Sequence, residues 1–142
     1  MPAADLAASQ AHCLRVARGA ARNFYYGFYP LSRDQHAAMC AVYAFARRTD
    51  DLADEEGPVD AAARRQALEE WRRAFDSSQP VDLILPAVHD AIRRYSIPTR
   101  YFHELIDGVS LDLEPPCYQT FQDLYRYCYG VASTVGLICL HV

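Results

Sequence analysis

Three carboxylates and two guanidiniums fall within the eight residues Arg47-Arg48-Thr49-Asp50-Asp51-Leu52-Ala53-Asp54. They close a long apolar segment whose periodicity is helical. Acidic groups do not normally follow a buried seam unless something cationic meets them. On a helix Tyr43, Arg47, Asp50 and Asp54 share one stripe. Asp50 and Asp54 stand at i,i+4, so both carboxylates lean over the same spot. In water such a like-charged pair costs roughly 0.2–0.5 kcal/mol, and a bound divalent cation reverses that sign. Mg²⁺ takes hard oxygens and is held by one or two carboxylates plus substrate phosphates. Arg47, one turn earlier, suits phosphate oxygens, and Tyr43 adds a hydroxyl donor. These residue types at this spacing point to a site for Mg²⁺ and phosphate. D-x-x-x-D alone is a weak pattern and equally describes an acidic helix end in water. The apolar character of the residues before it weighs against that plainer reading.

Two further polar sets stand out. Asp112 falls on the apolar side of the 101–113 segment, on the line of Tyr101 and Leu105, while His103 and Asp107 share another face. A carboxylate on an apolar stripe needs a partner, and a cap or an Arg is the commonest one. Tyr125, Tyr127 and Tyr129 lie close together. Tyrosines so grouped usually pack in a core with their hydroxyls satisfied, and the alternative is one of them lining a polar cavity.

The elements that must position these groups read as six helical segments without a convincing strand pair, so the fold class expected is all-α. Residues 4–20 are Ala-rich. Residues 23–31 are aromatic and broken by Gly27 and Pro30. Ser32 with Gln35 three residues on is a capping-box pattern. The 33–55 segment that follows is apolar nearly all round (Ala37, Ala38, Met39, Ala41, Val42, Ala44, Phe45, Ala46), hence central and buried, and Gly57-Pro58 ends it. A helix over 60–75 shows Glu69, Glu70, Arg72 and Arg73 as a solvated face. A shorter helix over 81–94 carries Leu83, Leu85, Val88 and Ile92. Ile97-Pro98 separates it from a helix over 98–113, and Pro115-Pro116 is a firm stop. The last helix starts near Thr120 and reaches Val142. Its tail is strongly apolar and has neither a cap nor a polar end. That favours a chain cut inside a buried helix over a core helix that happens to finish the protein.

Composition sets the outer bounds. The chain has 142 residues and 51% hydrophobic content, enough for one globular domain with a core. A net charge of −4, with 18 Asp and Glu against 14 basic residues that are all Arg, argues against general nucleic-acid binding. The five cysteines (Cys13, Cys40, Cys117, Cys128, Cys139) show no zinc-type spacing. An odd count without a signal peptide fits a reducing cytoplasm. No run is long enough to span a membrane, which leaves peripheral membrane contact open.

Taken in order, these pieces resemble the squalene/phytoene synthase family of head-to-head prenyl transferases, over roughly residues 19–142. The resemblance rests on Asn23-Phe24-Tyr25-Tyr26, on Ala41 through Asp54, on Leu105-Ile106-Asp107-Gly108 with Asp112-Leu113, and on Tyr127 through Gly136. Its wording is nearest the bacterial presqualene-diphosphate and phytoene synthase branches. It implies an isoprenoid-synthase-type helical bundle, of which 1–142 would be a single partial domain, the N-terminal half. It also implies two allylic diphosphates, farnesyl or geranylgeranyl, coupled through a cyclopropyl intermediate with Mg²⁺ as cofactor. Asp50 and Asp54 match the metal ligands of the family's first aspartate motif, and Asp51 is a secondary candidate. Arg47, Tyr43 and Tyr127 match positions near the diphosphates, Asp112 a polar cavity position, and Phe24 an aromatic near the substrate. Two departures stand out: the second aspartate motif is missing, and Ala21 replaces a small hydroxylated residue that contacts a diphosphate.

The leading expectation is therefore one half of a prenyl synthase, inactive alone. The alternative is a small helical binding or assembly module that uses its apolar last helix as an interface. A head-to-tail elongase or terpene cyclase also uses aspartate-rich helices, but the Tyr127–Gly136 wording disfavours it.

Overall fold

The computed structural model describes residues 3–20, 27, 30–54, 60–77, 82–111, 120–129 and 133–142. These form seven helices: α1 (Ala3–Ala20), α2 (Arg33–Asp54), α3 (Ala61–Asp76), α4 (Leu85–Tyr95), α5 (Arg100–Ser110), α6 (Phe121–Cys128) and α7 (Thr134–His141). No strand occurs among the described residues, so the fold is all-α, as the sequence pattern implies. The segment read as one helix from residue 120 onward is described as α6 and α7, with residues 130–132 outside the described set.

The start of α2 follows from its capping box. The Gln35 N–H donates to Ser32 Oγ at 3.3 Å, and the Ser32 N–H donates to Gln35 Oε1 at 3.1 Å. Neither Gly nor Pro interrupts the next 22 residues. The Gly57-Pro58 stop lies outside the described residues. Small side chains let neighbours close in on α2, and α1, α3, α4, α5 and α7 all pack against it. Ala41, Ala44 and Phe45 are fully buried, which confirms the central helix.

Phe45 anchors the core. Its ring lies 5.3 Å from Trp71 and 5.4 Å from Phe75 on α3, and 5.0 Å from Phe102 on α5, edge-on to the last. Phe75 and Phe102 stack at 5.2 Å. Such offset and T-shaped pairs add about 0.5–1.5 kcal/mol each beyond area burial. α3 begins where Asp60 Oδ1 accepts the Ala63 N–H at 2.8 Å. It buries Leu68, Trp71 and Phe75, an i, i+3, i+7 stripe.

α4 starts later than its sequence suggests. Asp82 Oδ1 accepts the Ile84 N–H at 2.7 Å, an Asx turn that competes with helix. The chain therefore bends before Pro86, and Leu83 is exposed rather than in the core. Ile84 occupies the cap position and has no side chain to cap with. Ser9 on α1 takes that role from 78 residues away: its Oγ accepts the Ala87 N–H at 3.0 Å and donates to the Leu83 carbonyl at 2.6 Å. α4 ends at Ser96, in the left-handed region at φ 51°. Its N–H and that of Ile97 both reach the Ile92 carbonyl, and Pro98 prevents continuation.

α3 and α5 are clamped by charge. Arg72, expected on a solvated face, is only 20% exposed and pairs with Asp107 across the seam. Its Nη1–H also donates to His103 Nδ1 at 3.0 Å, and His103 Nε2–H reaches Asp76 at 2.9 Å. Arg72 departs from its neighbours because two polar groups of α5, His103 and Asp107, lie within its reach. Glu69, Glu70 and Arg73 are exposed as expected.

Cys13 and Cys40 are buried free thiols. Burial, reinforced by Cys40 and Asp82, pushes the Cys13 thiol up to about 12. Burial pushes Cys40 up to about 11. No helix of the described residues is long and apolar enough to cross a membrane.

Candidate active site

The last three turns of α2 carry the candidate site. At 3.6 residues per turn, positions 43, 47, 50 and 54 fall on one face. Tyr43 is half-buried, and Arg47 and Asp50 are exposed. The face behind them is packed: Thr49 is fully buried and Ala53 nearly so. The helix end thus presents a charged face to solvent and an apolar one to the core, which a solvated acidic tail would not need to do.

Arg47 Nε lies 3.2 Å from Asp51 Oδ1, with both side chains about half exposed. The spacing is i,i+4 on the helix surface, and exposed pairs of this kind contribute about 0.3–0.5 kcal/mol. A polyanion could displace Asp51 from the guanidinium at little cost.

The structure brings together Tyr43, Arg47, Asp50 and Asp51 on consecutive turns. Asp54 is the final residue of α2 and Tyr127 lies within α6, but their side chains are outside the described set. Phe24 and Asp112 lie outside the described residues altogether. Among the described residues no three His, Cys, Asp or Glu side chains gather to hold a metal ion. The donor chemistry nonetheless fits Mg²⁺, which is satisfied by one or two carboxylates plus water and phosphate oxygens. Asp50, exposed and one turn before position 54, presents a carboxylate of that type.

The tyrosine set divides. Tyr125 is 55% exposed rather than packed in a core. It sits on α6, where Phe121 and Leu124 are also exposed. The Tyr129 hydroxyl donates to Glu104 on α5 at 3.0 Å, and this bond raises its pKa.

Sequence reading missed the Arg72–His103–Asp76–Asp107 network. Its signal was present: His103 and Asp107 at i,i+4 on α5, and Arg72 and Asp76 at i,i+4 on α3. What was lacking was the pairing of α3 with α5. Beside it opens a cavity of about 230 Å³, lined by Phe75, Asp76, Ser77, His89, Ile92 and Thr99. The His89 Nε2–H donates to the Phe75 carbonyl at 2.8 Å.

A model of the squalene/phytoene synthase family matches residues 17–142. The chain belongs to the squalene/phytoene synthase family. It is 39% identical over 128 residues to the phytoene synthase of Mycobacterium tuberculosis, covering 89% of this chain and 42% of that protein. It is 36% identical over 133 residues to the chloroplastic phytoene synthase of Daucus carota, covering 92% of this chain and 33% of that one. A crystal structure of a dehydrosqualene synthase in complex with ligand superposes with a TM-score of 0.81 at 29% identity, covering 95% of this chain and 47% of that one. The chain thus spans less than half the length of these squalene/phytoene synthase relatives. The family match takes in both α2 and the Tyr127–Gly136 segment, and the likeness to the solved relative extends over nearly all of the chain.

Proposed function

We propose that this chain carries the first aspartate motif of a head-to-head prenyl transferase, and that the whole site couples two allylic prenyl diphosphates, farnesyl or geranylgeranyl, through a cyclopropyl intermediate. The observation that carries the proposal is the two-sided end of α2, with Asp50 and Arg47 exposed on one face and Thr49 and Ala53 buried on the other. Membership of the squalene/phytoene synthase family supports the reaction class.

Asp50 and Asp54 would hold Mg²⁺, which supplies charge stabilisation to the departing diphosphate. Arg47 would exchange Asp51 for diphosphate oxygens, gaining charge-assisted hydrogen bonds. Asp51, the secondary metal candidate, would then serve mainly to hold that guanidinium until substrate arrives. Tyr43 would donate its hydroxyl to the same anion. As the carbon–oxygen bond breaks, the electron pair leaves with the diphosphate. The allylic cation is attacked by the double bond of the second substrate, and loss of a proton closes the three-membered ring. Aromatic and apolar side chains suit the walls of such a site because they do not quench a cation and stabilise it through their ring faces. Phe24, Tyr127 and Asp112 enter as substrate-lining residues through the family resemblance. Substrates this apolar are consistent with a cytoplasmic protein in peripheral contact with a membrane.

The isolated chain would bind Mg²⁺–diphosphate without turning over prenyl substrate, because only one aspartate motif is present. The test is calorimetry of the purified chain with Mg²⁺ and inorganic pyrophosphate. Weak binding lost in Asp50→Ala and in Asp54→Ala is expected, and unchanged binding in both variants refutes the site. Product formed from farnesyl or geranylgeranyl diphosphate by the chain alone would overturn its inactivity. A second reading, a helical assembly module, draws on Phe121 and Leu140, which are 79% and 82% exposed. Concentration-dependent self-association lost in Leu140→Glu would favour it.

A further inference from the structure

Trp71 meets α2 at three residues of one face, all within the five residues before Asp50. Its ring stacks on Phe45 at 5.3 Å with an interplanar angle of 30°. The Arg48 guanidinium sits 6.0 Å from the indole centroid. The indole N–H donates to Thr49 Oγ1 at 3.0 Å, and that hydroxyl donates to the Phe45 carbonyl at 2.8 Å. Thr49 is wholly buried and Trp71 nearly so.

Phe45, Arg48 and Thr49 stand at i, i+3 and i+4, the spacing of one helical face. At 3.6 residues per turn that face is centred roughly 180° from the one holding positions 43, 47, 50 and 54. The indole therefore grips α2 from behind the candidate site. A helix held only by methyl groups can slip or rotate, since apolar contact is non-directional. A buried hydrogen bond has a direction, and leaving the indole N–H unmatched in the core is costly. Thr49 is the acceptor on α2 that gives this contact its orientation.

We infer that Thr49 and Trp71 are positioning residues, which fix the rotation of α2 so that the face holding positions 50 and 54 is turned to the Mg²⁺–diphosphate site. The inference rests on the proposed function for its ligand and on the packing alone for the grip itself. Thr49 and Trp71 are buried behind α2, away from the face of position 50, and act through the aspartates.

The test compares the unaltered chain with four variants. Thr49→Val keeps the shape and loses the hydroxyl. Trp71→Phe keeps a ring and loses the N–H. Thr49→Ser keeps the acceptor. Ser9→Ala removes a buried hydrogen bond of similar kind at the start of α4, on the α1 side of the molecule. Amide hydrogen exchange over residues 47–54 is read first, in the absence of metal. Thr49→Val and Trp71→Phe are expected to speed it by about fivefold relative to Ser9→Ala, the factor equivalent to one net hydrogen bond, with Thr49→Ser restoring protection. Mg²⁺–pyrophosphate binding is read second, and is expected to weaken by about fivefold or more in the same two variants when one hydrogen bond's worth of preorganisation is lost. Exchange that rises equally in Ser9→Ala overturns the grip. Binding lost in Asp50→Ala but unaltered in Thr49→Val and Trp71→Phe overturns the positioning role and leaves the site standing. Absence of binding in the unaltered chain overturns the site and with it the role, while the exchange data still decide whether the indole holds the helix.

Discussion

Arg47 stands beside two carboxylates to which the proposed function gives different roles. It is paired with Asp51 at 3.2 Å and lies on the face of Asp50. Because both partners of the pair are half exposed, Asp51→Asn should change unfolding free energy by no more than about 0.5 kcal/mol, measured by urea titration. Mg²⁺–pyrophosphate binding should survive that change, whereas a loss as deep as in Asp50→Ala would make Asp51 a metal ligand in its own right. Phe45 is the opposite kind of residue, wholly buried and touching three aromatic rings. Phe45→Ala should cost about 3–5 kcal/mol, a large part of the stability of a domain this size, and should appear as a lower melting temperature with near-complete loss of cooperativity.

Helix boundaries show where local chemistry was sufficient and where it was not. Ser32 and Gln35 define the start of α2 through a box contained in four residues, and Asp60 does the same for α3, so both were legible. Ser32→Ala should cost about 1 kcal/mol, read as a shift in urea midpoint. α4 was not legible in the same way. Its cap comes from Ser9, and no window of sequence around residue 84 contains it. Ser9→Ala should cost about 1–2 kcal/mol, as expected when a buried donor and acceptor lose their partner. Ser96 at φ 51° closes that helix with a residue that bears a Cβ. Ser96→Gly relieves the left-handed strain and should raise stability by about 0.5 kcal/mol, seen as a small rise in melting temperature. The aspartate face of α2 was legible because charge and periodicity lie within one element. The Arg72–His103 clamp was not, because it needs the pairing of two helices.

Across the whole molecule, the buried thiols tie stability to alkalinity. The ordinary thiol value is 9.0, and the folded values for Cys13 and Cys40 are about 12 and about 11. Below pH 9 both states keep their protons and stability does not depend on these groups. Between 9 and the folded values only the unfolded chain releases them, so each thiol lowers stability by up to about 1.4 kcal/mol per pH unit as pH rises. Thermal unfolding between pH 8 and pH 11 should show this fall, and Cys13→Ala should flatten it while the fall below pH 9 stays absent. Cys13 lies one helical turn beyond Ser9 on the same α1 face, and that placement has a kinetic consequence. Ser9 and Ala87 are 78 residues apart, and at ribosomal rates of about 5–20 residues per second that separation lasts roughly 4–16 s. During synthesis α1 must wait that long for the helix it caps, its Cys13 thiol open to oxidants that the finished fold excludes.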